Sequence, residues 1–331
     1  MITSKSPRKV LKLAYALGVE TLPKYFSPFS RHAFTKPQLF ACLVLREHQK
    51  KSFRGIEALL IDSPAWLADI GLAKAPDHNT LSRAFNEFVD PDLADSMLDL
   101  MAKLARSRKL LRGDGPQAAD ARLQHVREPS CQPTLRAASA RHRRCRQRAK
   151  TPQKRGGSGG SWHPRVNRRR RCVVRQLPKL SLAVDAASHV ILAAIASTGA
   201  GGDQPFLDGL LYHAWRRVGG RLRCVVADAG YDSEDNHRIA RQDMRVRSII
   251  PPRAGRPTSK PPTEPMRRNM HYRFKRHADA RTYGQRWQSE TTNSMIKRNL
   301  GSAMRARTTV GRRHELLLRV LTHNIMLLAE G

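Results

Sequence analysis

PKLSLAVDAASHVILAAIAS, residues 178–197, reads as two β-rich runs, LSLAVDA and HVILAAIAS, joined by a short turn around Ser188. Apolar and β-branched residues fill both runs and small polar residues separate them, which is the pattern of a hairpin. The segments downstream settle the class. DQPFLDGLLYHAWRRV (203–218) has helical spacing, RLRCVVADAG (221–230) is a short buried strand, SEDNHRIARQD (233–243) a second helix and VRSIIPP (246–252) another strand. A basic, Pro-rich loop over 253–282 then leads to a polar helix, and ELLLRVLTHNIMLL (315–328) is apolar enough to be covered by the sheet. Upstream, the opening strand is sought in QAADA (117–121), although that run is barely apolar. The order predicts an α/β fold with a central mixed sheet flanked by helices.

Charge narrows the partner. The 331 residues carry 61 Lys and Arg against 27 Asp and Glu, a formal net charge of +34. Such an excess opposes compaction through self-repulsion and points to a polyanion, most often nucleic acid. A polybasic membrane-surface protein would need an amphipathic anchor or a lipidation motif, and the sequence offers neither. The most apolar stretch, 181–197, is interrupted by Asp185 and His189 and is too short to span a bilayer. Five cysteines without CxxC pairing speak against a zinc ribbon or disulfide framework and fit a reducing cytosol.

Residues 35–110 read as well-punctuated helices. Thr35 precedes KPQLFACLVLREHQKK, Ser63-Pro64 opens PAWLADIGL, and Asp90-Pro91 opens a long amphipathic run. DHNTLSRAFNEF (77–88) suits the second helix of a helix-turn-helix, with Asn79, Thr80, Ser82 and Arg83 able to reach DNA. Inward packing of Leu81, Phe85 and Phe88 in a plain bundle explains the same spacing. Residues 121–176 differ from their surroundings, with 17 Lys and Arg against one acid, Glu128. They hold too little apolar surface to offset ordering entropy, so the segment is expected to be disordered or to fold on nucleic acid.

Two places carry candidate chemistry. Asp228 follows the apolar run CVVA and precedes Ala229-Gly230, where a side chain emerges from the end of a strand. An ordinary cap on the next helix is the alternative role, although Asp232 is the better candidate for that cap. The second place is YGQRWQSETTNSMIK, in which Tyr283, Arg286, Glu290 and Lys297 fall on one helical stripe. A carboxylate beside two cations and a phenol suits a metal ion next to a phosphodiester. A solvated face with an Arg–Glu pair at i,i+4 has the same spacing. Trp287 reads as a core aromatic, with stacking on an unpaired base as the other option.

That spacing of Tyr, Arg, Glu and Lys resembles the C-terminal signature of bacterial insertion-sequence transposases of the DDE class, in the branch grouped around insertion sequences 4 and 5. PKLSLAVDAASHVILAA, VVADAGYDSEDNH, YGQRWQSE and GSAMRAR resemble the same branch, and together they cover roughly residues 178–310. The resemblance implies an RNase H-like domain at 113–331, preceded by a small all-α domain at 1–112 that contributes to DNA binding, with 121–176 as a basic disordered insertion. It implies that Asp120, Asp228 and Glu290 hold two Mg²⁺ ions, for which Mn²⁺ can substitute. Tyr283, Arg286, Lys297 and Arg83 would contact DNA.

Asp120 departs from the family pattern. Ala121, Arg122 and Leu123 follow it where relatives usually have a small residue, Thr and Gly, and Asp114 and Asp185 are rivals. Relatives also have a hairpin-like stretch where this chain is strongly basic, so a frame shift in a decayed element competes with a phosphate-binding loop. The implied function is DNA cleavage and strand transfer at terminal inverted repeats, by a homo-oligomer at the nucleoid in the cytoplasm. The alternatives are an inactive, basic nucleic-acid-binding remnant and an RNase H-like nuclease that does not join strands.

Overall fold

Strands β2 (Pro178–Asp185) and β3 (Ile191–Thr198) pair antiparallel, as the hairpin reading predicts. Asp185 holds the turn. Its carboxylate accepts from the Ser188 N–H at 2.8 Å and from the Ser188 hydroxyl at 2.6 Å, and His189 reverses the chain in the left-handed region at φ 59°. The computed structural model describes residues 3–25, 29, 32–111, 120–127, 178–199, 201–253 and 261–330. Asp114 and residues 128–176 of the basic segment lie outside them.

Residues 121–127, predicted to be part of a disordered insertion, instead lie in strand β1 (Asp120–Arg127). β1 pairs antiparallel with β2 and parallel with β4 (Cys224–Ala227), so ladder bonds on both sides hold a sequence with little strand propensity of its own. β4 is joined in parallel by β5 (Arg247–Ile249). The sheet order is β3-β2-β1-β4-β5, and β2 alone runs against the rest.

The N-terminal helices are α1 (Pro7–Thr21), α2 (Lys36–His48), α3 (Phe53–Ile61), α4 (Pro64–Asp69), α5 (His78–Phe88) and α6 (Pro91–Ser107). Thr35 and Gln38 close a reciprocal capping box on α2, and Asp90 caps α6 through the Leu93 N–H. Ser63 makes no side-chain cap on α4. Helix α7 (Leu207–Arg217) packs on β2 and β3, followed later by α8 (Glu234–Arg238), which continues into a π-helical turn at Ile239–Asp243. The predicted loop over 253–282 is partly helical: α9 (Pro265–Lys275) and α10 (Ala280–Gly284) occupy its second half. Helices α11 (Trp287–Leu300) and α12 (Thr309–Leu328) complete the chain.

Helix α12 is buried along nearly its whole circumference, touching α1, α2, α5, α6, α11, β2 and β3. Its Asn324 amide donates to the Ile191 carbonyl at 2.8 Å and accepts from the Ile191 N–H at 2.9 Å, covering backbone on edge strand β3. One apolar core runs from Val10 and Leu43 through Met97 to Leu182, Val225 and Leu321. The boundary expected at 112/113 lies outside the described residues; the described helices before it and the sheet after it meet in this core. A buried ion cluster makes the same junction. Glu47 of α2 pairs with Arg46 at 2.7 Å and with Arg305, and Glu315 of α12 pairs with Arg319 at 2.7 Å and accepts from the Ala306 N–H at 2.8 Å.

Candidate active site

Strand alternation aims Asp228. Val225 and Ala227 enter the main core, while Cys224 and Val226 face the opposite side, where Ile249, Phe274 and Tyr283 cover them. Asp228 continues the second set, leaving β4 on the side of Tyr283. It is exposed, and its carboxylate accepts from the Ala229 N–H at 2.8 Å, capping a 3-10 turn at Ala229–Tyr231. A Cβ added at Gly230 would lie 2.9 Å from the Asp203 carboxylate, which would have to move aside. The role of the glycine is close approach; its φ is not in the left-handed region.

The stripe predicted over 283–297 is divided. Tyr283 lies in α10, Arg286 is the cap residue of α11, and Glu290 and Lys297 belong to α11. The break is a tight turn in which the Arg286 N–H still donates to the Tyr283 carbonyl at 2.8 Å. Local neighbours are preserved as a result. Arg286 pairs with Glu290 at 2.6 Å, and its guanidinium carbon lies 6.0 Å from the centre of the Tyr283 ring. Tyr283 stands edge-on to Phe274 at 5.1 Å. Burial pushes its phenol pKa up; Arg286 opposes the shift, while the Asp228 and Glu290 carboxylates reinforce it. One hydroxyl thus lies in the field of both carboxylates and of the guanidinium. Lys297 sits two turns further along α11, half-buried, about 10 Å from Glu290 along the axis.

Other predicted residues fall elsewhere. Register places the Asp120 α-carbon opposite Cys224, four residues before Asp228 on the parallel neighbour, or about 13 Å along the strand. This pairing does not bring Asp120 beside Asp228. Asp185 is spent on the hairpin turn, and Arg83 is exposed on α5. Asp232 is not a helix cap. Ser233 caps α8, and Asp232 is buried, bonded to Arg267 at 3.0 Å and to the Arg253 N–H at 2.9 Å. Burial alone would raise its pKa, but His237, Arg267 and that N–H hold it at about 2. Trp287, predicted as core, is 55% exposed at the start of α11.

Two neighbours escape a reading of spacing. Lys179 is buried at the start of β2 and reaches Asp203 at 3.4 Å and the Gly201 carbonyl. Both Asp203 and Asp228 act on the buried Tyr231 phenol, which burial raises foremost. No motif flags Asp203 or Lys179; only contacts across the sheet join them to the Asp228 turn.

Asp228 and Glu290 are hard oxygen donors, right in kind for a divalent ion such as Mg²⁺. Among the described residues, however, no three His, Cys, Asp or Glu side chains come together closely enough to hold a metal. The donor set is correct in chemistry and short in number. No helix among the described residues is long and apolar enough to cross a membrane.

The model of a known protein family, the transposase DDE domain, matches residues 99–325. That span begins within α6, runs through the whole sheet and ends within α12, so it includes Asp228 and Glu290. No curated protein matches the chain, and no solved structure does. With most of its length matched, the chain belongs to the DDE transposase family.

Proposed function

We propose that this protein is the transposase of an insertion sequence, binding the terminal inverted repeats and carrying out strand cleavage and strand transfer by in-line phosphoryl transfer. The observation that carries the reading is the Tyr283 hydroxyl, which shares its surroundings with Asp228, Glu290 and Arg286 at the exposed end of β4. An RNase H-like fold is supported by the strand order and by the one reversed strand, β2. The insertion sequence 4/5 branch is supported by the Tyr-Arg-Glu-Lys spacing.

In this reading Arg286 and Lys297 bind backbone phosphates, and the Tyr283 hydroxyl orients a phosphate oxygen or the attacking water. Asp228 and Glu290 would hold a divalent ion, whose contribution is Lewis acidity at the phosphoryl group. Trp287, exposed one residue beyond Arg286, stacks on a base unpaired near the cut. The N-terminal helices contribute further DNA contacts through Arg83 and Asn79, both exposed on α5. Two ends are brought together by a homo-oligomer.

The test is strand nicking of inverted-repeat DNA with Mg²⁺ or Mn²⁺. Glu290→Ala and Asp228→Asn are expected to lose about a hundredfold or more, on the scale of removing one preorganised charge-stabilising group. Undiminished nicking by Glu290→Ala removes the site. The offset of Asp120 favours a second reading, a catalytically silent remnant that still binds nucleic acid. Metal-dependent nicking by the unaltered chain, lost in Asp120→Asn, rejects that reading and restores Asp120 as the third ligand.

A further inference from the structure

Away from the Asp228 turn, four arginines surround one open cavity of about 470 Å³ at the outer edge of the sheet. Arg241 comes from the π-helical turn, Arg245 from the approach to β5, Arg247 from its first position and Arg273 from α9. The groove is built rather than incidental. Arg241 is half-buried and anchored to the Ser248 hydroxyl and carbonyl, each at 2.8 Å. Arg273 is fixed to Asp279 at 2.6 Å, and Arg247 to the same carboxylate. Arg245 is held in the left-handed region at φ 56° and is exposed.

One buried carboxylate thus serves two of the four cations. Burial lowers the Arg241 pKa first, and the charges of Arg273 and Arg247 push it the same way while the Asp279 carboxylate opposes them. Four guanidinium groups around one concavity, two of them paired with Asp279, leave an excess of positive charge that suits an anion. The planar guanidinium fork matches phosphate oxygens.

Position identifies the anion. Arg247 is level with Cys224 across the ladder, four residues before Asp228, or about 13 Å down the strand. Arg247 is in register with Cys224 and two residues before Ile249, and both of those face Phe274 and Tyr283, so Arg247 leaves the sheet on the side of the candidate active site. Duplex DNA advances about 3.4 Å per nucleotide of one strand. We propose that this arginine groove binds the sugar–phosphate backbone of duplex DNA about four nucleotides from the bond aligned at Asp228 and Glu290. The placement relative to the cut rests on the function proposed above; the phosphate site itself does not.

The experiment measures affinity for a duplex as a function of salt concentration. Arg245→Gln is expected to flatten the plot of log K against log salt by about 0.9, the value for one lost phosphate contact. Arg245→Lys, which keeps the charge, retains the slope of the unaltered chain and shows that the position tolerates substitution. Lys103→Gln, an exposed change on α6, serves as the control for loss of any one positive charge. Equal slopes for Arg245→Gln and Lys103→Gln overturn the proposal. A second arm uses element-end duplexes with single neutral methylphosphonates. Wild-type affinity is expected to drop for a substitution about four nucleotides from the cut, and Arg245→Gln to be insensitive to it. Sensitivity of Arg245→Gln equal to that of wild type also overturns the proposal. Intact nicking by Glu290→Ala alongside a flattened Arg245→Gln slope would sink the active site and leave the groove standing.

Discussion

Two Arg–Glu pairs in this protein share a spacing and almost a distance. Arg286 and Glu290 meet at 2.6 Å, and Glu315 and Arg319 at 2.7 Å, each four residues apart on a helix. Their side chains are 29% and 48% exposed in the first pair, but 0% for Glu315 and 2% for Arg319 in the second. The first pair stands at the start of α11, open to solvent. The second is sealed between α2, α12 and the 301–306 segment, with every charge committed to a protein partner. Spacing creates an ion pair, and burial decides whether it can act on anything else. An exposed carboxylate can exchange its arginine for a metal or release it to a phosphate; a sealed one cannot.

Substitutions sharpen that contrast. Glu47→Ala, at the centre of the sealed cluster, removes the acid paired with Arg46 and leaves Arg305 and Arg319 to share Glu315, and should cost about 3–5 kcal/mol. Urea unfolding measures this, and a loss below about 1 kcal/mol would mean that water enters the cluster. The buried region also carries a pH signature. Burial depresses the His323 ring to about 4, so the folded chain keeps it neutral while the unfolded chain takes up a proton below about 6.5. Stability present above pH 6.5 is therefore lost as pH falls toward 4, by about 3 kcal/mol for this ring. His323→Gln should flatten that limb of a stability–pH curve, and an unchanged curve would exclude this ring as its source.

On the exposed side, Trp287→Ala should weaken binding to DNA with an unpaired base by about 1–3 kcal/mol and leave paired duplex unaffected. Fluorescence anisotropy of the two labelled DNAs, titrated with each protein, gives the readout. The smallest effect belongs to the exposed pair. Arg286→Gln should shift folding stability by no more than about 0.5 kcal/mol while weakening DNA affinity. A stability loss approaching that of Glu47→Ala would erase the distinction between the two pairs.

The residues that were legible in the sequence are those whose neighbours lie close along the chain. The hairpin, the Thr35 and Asp90 caps, the strand ending at Asp228 and the Arg286–Glu290 pair all depend on offsets of a few residues. What stayed hidden depends on distant partners. Helix α9 buries only Met270, so no apolar stripe announces it within a Pro-rich, basic stretch, although Pro265 at its first turn was a usable signal. Asp232 looked like a cap because it precedes a helix; its real partner, Arg267, is 35 residues away. Trp287 looked like core because tryptophan usually is. The Asp203–Lys179 contact reaches Asp228 only through the folded sheet. Asp120 is named by resemblance alone, and only the ladder shows that its α-carbon lies opposite Cys224, four residues before Asp228.

Helix α12 has a consequence for how the chain is made. The N-terminal helices wrap a space that residues 309–328 fill, and the Ser4 N–H donates to the carbonyl of Met326 at 2.9 Å. The inner faces of the N-terminal helices therefore stay uncovered until residues 309–328 have been made, and a chain truncated before residue 309 is expected to expose that apolar surface and aggregate.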